Sequence, residues 1–356
     1  MSAGQTRVDR RLARVGCFLV VCLALGGGAP EPTPPAENDV AEMTAPPDAG
    51  AGTILRVDSR LDALVPTDAR IEKLADGFIF TEGPVWSRRE SRLLFSDVRG
   101  NTIYEWTEED GVSVVIDPVF EGDRTGLRSV SSNGLTLDAD GRLVMCEHGH
   151  RRISRVEADG TRTTLVDSYE GRRLNSPNDL AYASDGWLYF TDPGSALEGR
   201  DASPLRELDF NGIYRLSPDG ELQLLYREQS RPNGIALSPD ETILYAANSD
   251  PDQKVWMAYD LGEEGVSNPR VFYDVTDQAG EGAADGMKVD TAGNVFATGP
   301  GGVWVIAPDG VHLGTIMPDE VPANVAWGDD GRTLYMTART GLYRIRLSTE
   351  GSVPGP

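Results

Sequence analysis

Six oxygen-bearing side chains recur at matching places along this sequence: Glu82, Asn133, Asn178, Asn233, Asp285 and Asn324. Each stands near the head of a similar segment. The segments are TEGPVWSRRESRLLFSD from Thr81, SNGLTLDADGRLVMCEH from Ser132, PNDLAYASDGWLYFTDP from Pro177, PNGIALSPDETILYAAN from Pro232, ADGMKVDTAGNVFATGP from Ala284 and PANVAWGDDGRTLYMTA from Pro322. The set holds two carboxylates and four amides, with no Lys, Arg or His. Such donors suit a hard cation, because calcium takes six to eight oxygens from carboxylates, amides and water. The His and Cys that zinc prefers are absent from the set. Two carboxylates would also neutralise a divalent charge. Turn capping by Asn and Asp does not account for the register across six segments, nor for Glu82, which is a poor turn former.

The segments themselves say what must position these groups. After the polar residue comes an alternating apolar stretch, then a turn rich in Asp, Gly and Ser, then a second apolar stretch. That pattern predicts a β-hairpin of half-buried strands. A further pair of short strand-like runs follows most hairpins, as in IYEWTE with VSVVID and GIYRLS with ELQLLYR. Four strands per unit at a spacing of 39–55 residues predicts an all-β fold, a six-bladed β-propeller with four-stranded antiparallel blades. The last unit, ending in GLYRIRL, lacks an outer strand, so TILRVDSR or RIEKLAD near residues 53–76 is expected to close the ring. In a propeller the innermost strands line the axis, so the six polar residues should face one channel mouth. The residues closing each hairpin should return to that mouth: Asp97, Glu147 with His148, Asp192, Asn248 with Asp250, Gly299 with Pro300, and Arg339. Among them His148 and Arg339 are the candidates to meet an anionic or polyhydroxylated ligand.

Residues 1–29 read as a signal peptide: Arg7, Arg10, Arg11 and Arg14, an apolar run from Val15 to Leu25, then Gly26–Gly28 and Ala29. The run is too short to span a bilayer stably. Val21 before Cys22 disfavours lipoprotein anchoring. Residues 30–52, rich in Pro, Ala and acids, are expected to be a disordered linker. Residues 53–350 then form the propeller, in a protein that is periplasmic or secreted. The chain of 356 residues carries a net charge of −23, and removing residues 1–29 leaves about −26. Such a surface repels nucleic acid and anionic membranes and favours cations. Only Cys146 follows the leader, so no disulfide within the exported chain is expected, and its apolar setting reads as core. There is no G-x-S-x-G elbow, P-loop or dinucleotide fingerprint.

The motifs EGPVW (Glu82–Trp86), NSPND (Asn175–Asp179), RPNGIALSPD (Arg231–Asp240) and ADGMKVD (Ala284–Asp290) resemble the senescence-marker protein/gluconolactonase/luciferin-regenerating-enzyme family, over about residues 70–347. SNGLTLDADGRLVMCEHGHRRISR is similar to its bacterial gluconolactonase branch in particular. The resemblance implies a bound Ca²⁺, or Mn²⁺, Mg²⁺ or Zn²⁺ in its place, with Glu82, Asn233 and Asp285 as ligands and Asn178 as a fourth ligand or a substrate contact. It implies hydrolysis of a sugar lactone such as gluconolactone to the aldonic acid, with the ion polarising the carbonyl and Asp285 acting as general base. Substrate contacts are then expected from Asn178, Asn133, His148 and Arg339. Relatives carry an Arg two residues before Asn178 where this chain has Ser176, which leaves the substrate open. Two other readings stay in play: a phosphotriesterase-like hydrolase on a related cage, and a non-catalytic propeller serving as a binding platform.

Overall fold

The computed structural model describes residues 50–356. The signal peptide expected over residues 1–29, and nearly all of the linker expected over 30–52, lie outside the described residues.

Six antiparallel blades follow one another along the chain, with a two-stranded ribbon of Ser168–Tyr169 and Arg172–Arg173 between the second and third. Blade 1 is built from Thr81–Ser87, Arg92–Asp97, Thr102–Thr107 and Gly111–Ile116, and blade 2 from Ser132–Leu137, Leu143–Glu147, Arg152–Val156 and Arg162–Val166. Blade 3 comprises Leu180–Tyr182, Leu188–Asp192, Gly212–Leu216 and Leu222–Tyr226, and blade 4 Pro232–Leu237, Ile243–Asp250, Gln253–Gly262 and Gly265–Asp274. Blade 5 runs through Met287–Val289, Val295–Gly299, Gly302–Ile306 and His312–Pro318, and blade 6 through Pro322–Gly328, Thr333–Ala338 and Gly341–Arg346. This is the expected six-bladed β-propeller.

Both candidate closing segments are used, for different blades. Ile71–Asp76 pairs antiparallel with Gly341–Arg346 and completes blade 6, with Ile71 opposite Ile345. Gly52–Arg56 adds a fifth strand to blade 5 along His312–Pro318. Between the two segments the short helix Leu61–Leu64 buries Leu61 completely, and Val65 after it is equally enclosed. Two outer edges are thereby covered by sequence from the start of the domain, which removes strand edges that would otherwise invite pairing.

Large aromatics fill the wedges between blades. Trp86 stacks on Tyr335 at 5.3 Å, joining blades 1 and 6. Phe296 meets Trp327 edge-on at 5.0 Å, joining blades 5 and 6, and the Trp327 indole donates to Val289 O at 3.1 Å. Fully burying one such side chain stabilises by roughly 1.5–3 kcal/mol. Cys146 is wholly buried, as its apolar neighbours suggested.

In every blade the inner-strand ladder is broken, or begins late, where the six polar residues stand. Register shifts fall between Glu82 and Val85, Ser132 and Leu135, Pro232 and Ile235, and Pro322 and Asn324. In blades 3 and 5 the regular inner strand starts only after Asn178 and Asp285. A bulge re-aims a side chain, here off the sheet face and toward the axis. Glycine makes the crowding there possible. A Cβ on Gly83, at φ +52°, would lie 1.9 Å from Asn133 O of the next blade. One on Gly286 would lie 2.1 Å from the side chain of Asn324. The Gly286→Ala protein should therefore lose about 1–3 kcal/mol of stability from overpacking, read from its denaturant midpoint. An unchanged midpoint would show that the inner ring has slack.

Candidate functional site

Each axial residue is held by groups on its own blade and by its neighbour. Asp97, closing the first hairpin, accepts the amides of Ile79 and Phe80 at 2.8 and 3.0 Å and so fixes the approach to Glu82. Asp192 does the same for the loop before Asn178, taking Asn175 N and Ser176 N at 2.7 Å each. Asn248 accepts Arg231 N at 2.8 Å, two residues before Asn233. Hydroxyls of the second strands then tie one blade to the next. Ser96 donates to Asn133 O (2.8 Å), Thr191 to Asn233 O (2.6 Å), Ser249 to Ala284 O (2.7 Å) and Thr298 to Ala323 O (2.8 Å).

Glu82, Asn133, Asn178, Asn233 and Asp285 line one cavity of about 520 Å³, together with His148. Asn324 is not in its lining. It hydrogen-bonds the Glu82 carboxylate instead, while its own Oδ1 accepts Val325 N at 2.9 Å. The Asn233 amide donates to Ser249 Oγ at 2.7 Å and to Asp285. Its side-chain oxygen accepts no hydrogen bond among the described residues. Among the described residues the side-chain amides of Asn133 and Asn178 have no hydrogen-bond partner. Asp285 Oδ1 is buried and accepts no hydrogen bond. An orphaned buried carboxylate oxygen is costly unless something positive meets it.

The electrostatics point the same way. Burial pushes the Glu82 carboxyl up to about 7, against a hydrogen bond from Gly83 N and with added repulsion from Asp179. Burial, then Glu82 and Asp179, push Asp285 well above the ordinary carboxylate range. Lys288, its ammonium on Met287 O at 3.0 Å, lies toward the opposite end of the channel and eases the charge on Glu82. The donor set fits a hard divalent cation: two carboxylates that repel each other, plus amide oxygens free of donors. Among the described residues no group of three His, Cys, Asp or Glu side chains stands ready to chelate a metal, so such an ion would depend on the amides.

Asp179 was not among the residues singled out by sequence. It is 2 % exposed and sits between blades, accepting Leu180 N at 2.9 Å and Ile235 N at 3.4 Å. A signal for it existed. In four segments the axial residue is followed by glycine (Gly83, Gly134, Gly234, Gly286), and in NSPND an aspartate takes that place.

The hairpin ends did not all return to the mouth. His148 did: it is buried, its Nδ1 bonds Ser129 Oγ at 2.9 Å, and its Nε2 is buried without a partner. Burial lowers this imidazole to about 4, so it is neutral at pH 7. Arg339 did not. It lies outside the cavity lining and pairs with Glu281 on the exposed rim, because the chain beyond Ala338 turns back at a residue with φ +45°. The expectation that Arg339 meets the ligand is corrected accordingly. Glu147 is wholly enclosed in an ionic knot with His150, Arg152, Ser154 and Arg162 rather than facing the mouth. Ser176 is buried, and its hydroxyl donates to Pro193 O at 2.5 Å.

Residues 80–340 match the family described as the SMP-30/gluconolactonase/LRE-like region. A gluconolactonase from Zymomonas mobilis is 39% identical over 312 residues, which cover 84% of this chain and 87% of that protein. The solved structure of a gluconolactonase from Xanthomonas campestris is similar with a TM-score of 0.74 at 33% identity, covering 84% of this chain and 96% of that one. A calcium-binding regucalcin from Agrobacterium tumefaciens shares the fold with a TM-score of 0.64 at 19% identity, covering 80% and 95%.

The knot around Glu147 yields a stability prediction. Burial alone would raise this carboxyl from its ordinary 4.5, but hydrogen bonds from His150, Ser154 and Arg152 hold it at about 2. A depressed carboxylate contributes stability that is present above its unfolded value and lost as pH falls from about 4.5 toward about 2. Glu147→Gln should cost about 3 kcal/mol at pH 7. That deficit should shrink across the acid window in urea titrations. A deficit independent of pH would contradict the assignment.

Proposed function

We propose a function from one premise: the chain belongs to the SMP-30/gluconolactonase/LRE-like family. It is a lactonase, a hydrolase that opens a sugar lactone such as gluconolactone to the aldonic acid. Two of its relatives are gluconolactonases covered over more than four fifths of both chains. The observation that carries the reading is the orphaned Asp285 Oδ1 beside Glu82, on the floor of a cavity lined by unpartnered amides.

Glu82, Asn178, Asn233 and Asp285 would hold the divalent cation, Ca²⁺ by preference for an all-oxygen set, as the calcium-binding regucalcin with this fold supports. When bound, the ion supplies positive charge for the lactone carbonyl oxygen. The chain's own residues do the rest. Asp285 accepts a proton from a water molecule whose oxygen bonds to the carbonyl carbon. The bond between that carbon and the ring oxygen then breaks. Asp285 returns its proton to the leaving oxygen, and the hydroxy acid forms. Asn133 and Asn178 offer amide donors and acceptors to the sugar hydroxyls. His148, kept neutral by burial, offers Nε2 to one more hydroxyl without adding charge. The apolar wedges beneath the mouth keep the axial geometry rigid. We further propose export to the periplasm or medium, from the arginines and apolar run of residues 1–29. No helix among the described residues is long and apolar enough to cross a membrane.

Replacing Asp285 by Asn should lower kcat for glucono-δ-lactone by about 10²–10⁴-fold while the thermal transition stays cooperative. Wild-type turnover in that variant, followed by pH-stat titration, would sink the role of Asp285.

Proton and cation should compete for the same floor. Glu82 is raised to about 7, chiefly by burial. A raised carboxyl contributes stability that is complete below its unfolded value and lost as pH rises through its folded one. The cation-free protein should therefore lose stability from about pH 4.5 to about pH 7. Added Ca²⁺ should restore it at pH 8 and release protons on binding, as calorimetry in two buffers would show. If chelator leaves melting temperature and activity untouched at pH 8, the cation assignment is wrong.

A further inference from the structure

The cavity has a second pole. Arg99, Arg128, Arg200 and Arg231 also line it, and none of them is among the main charges acting on Glu82 or Asp285. In an acid-rich chain, with 56 acidic against 33 basic residues, unmatched arginines are conspicuous. Elsewhere Arg142 pairs with Asp138, Arg206 with Asp201 and Arg346 with Asp330. Among the described residues the side chains of Arg128 and Arg200 have no hydrogen bond or ion pair, and Arg99 has only the face of Phe80 at 5.3 Å.

Their placement is built rather than loose. Two long loops carry Arg128 and Arg200, and these loops are laced together through their backbones. Leu127 bridges Leu197, Arg128 N donates to Ala196 O at 2.8 Å, and Glu198 N donates to Gly126 O at 2.8 Å. Arg151 anchors the Arg200 loop to the segment before Asn175, donating to Leu205 O and Leu174 O at 2.7 Å each. Arg200 is held in the left-handed region at φ +50°, a conformation that costs about 1 kcal/mol or more for a residue with a side chain. Partial burial and the like charges of Arg200 and Arg99 push the Arg128 guanidinium below its ordinary value. Like charges gathered without a counter-ion are stabilised by an incoming anion.

Nearby carboxylates do not cancel the group. Asp201 is taken by Arg206 and Asn211. Asp250 lies within the field of Arg231 and Arg200, so Arg231 is the most compensated of the four. Glu198 borders an adjoining recess of about 420 Å³, which shares Arg128 and Arg200 with the main cavity.

We propose that Arg99, Arg128 and Arg200 form an anion subsite, and that the lactone this protein takes carries an oxyanion group at the end remote from its carbonyl. The inference rests on the lactonase reading above and specifies its substrate class. The acidic floor would repel such a group, so the anion points to the rim while the carbonyl reaches the floor. Planar guanidinia present paired N–H donors that match phosphate, sulfonate or carboxylate oxygens. The sugar hydroxyls then fall between, against Asn133, Asn178 and His148.

The test compares glucono-δ-lactone with its derivatives bearing phosphate, sulfonate or carboxylate at the sixth carbon, in wild type and in the Arg128→Gln/Arg200→Gln protein. We expect kcat/KM for at least one charged lactone to exceed that of the neutral one by about tenfold or more, mostly through KM. The excess should shrink between about 50 and about 500 mM salt and collapse in the double variant. Which derivative wins separates the three anion chemistries. A neutral lactone turned over as well as all three, or a ratio unchanged in the variant, would overturn the subsite while leaving the lactonase reading intact. If no lactone is hydrolysed, that reading fails, and calorimetry still decides the subsite. Tighter binding of 6-phosphogluconate than of gluconate, abolished in the double variant, supports it, and equal binding rejects it. Should the double variant not fold, Arg99→Gln and the wild-type salt dependence decide between the same two outcomes.

Discussion

Three carboxylates, Glu82, Asp179 and Asp285, are forced together near the axis of this propeller, and their mutual repulsion is the constraint that the rest of the structure answers. Buried like charges raise one another's proton affinity. Without compensation the blades that carry them would be driven apart. Compensation comes from amide donors on Asn324 and Asn233, from Gly83 N and Gly286 N, and from the field of Lys288 below. None of these reaches Asp285 Oδ1. The residual negative charge is therefore concentrated on the floor of the cavity.

Holding that charge in place is the work of the whole ring. The bulges at the inner strands turn the axial side chains inward. The hairpin ends Asp97, Asp192 and Asn248 clamp the backbone just before three of them. The hydroxyls of Ser96, Thr191, Ser249 and Thr298 pass the constraint from blade to blade. Closure by Ile71–Asp76 makes the ring continuous. A site whose repulsion is resisted by a closed ring can be preorganised without an ion already in it, which is what charge stabilisation in catalysis requires. The cavity above is then polarised along its length, with acids on its floor and guanidinia on its wall.

Much of this was legible in the chain alone. The six segments fixed blade number and strand count because a propeller repeats one supersecondary unit. Five of the six axial residues share a cavity because inner strands must point the same way. What was misjudged lay in the loops. Arg339 and Glu147 have the right spacing to reach the mouth, yet one faces Glu281 outside it and the other is buried among His150, Arg152 and Ser154. Asp179 escaped notice because its contact across the blades, Ile235 of blade 4, lies more than fifty residues away. Asn324 kept its place in the register but spends its amide on Glu82.

The sequence by itself determined the architecture, the family resemblance and the ring of oxygen donors, since all three are written in local periodicity and in short motifs. Tertiary structure alone decided which donors are left unsatisfied, which strand closes which blade, and which arginines share the cavity. The physical reason is the same in each case. A repeat fixes where a side chain stands along its strand, but its charge, burial and hydrogen bonds depend on residues brought beside it from other blades. Asp285 is a carboxylate by sequence, and it becomes an unsatisfied one only because Glu82 and Asp179 arrive from two other blades to surround it.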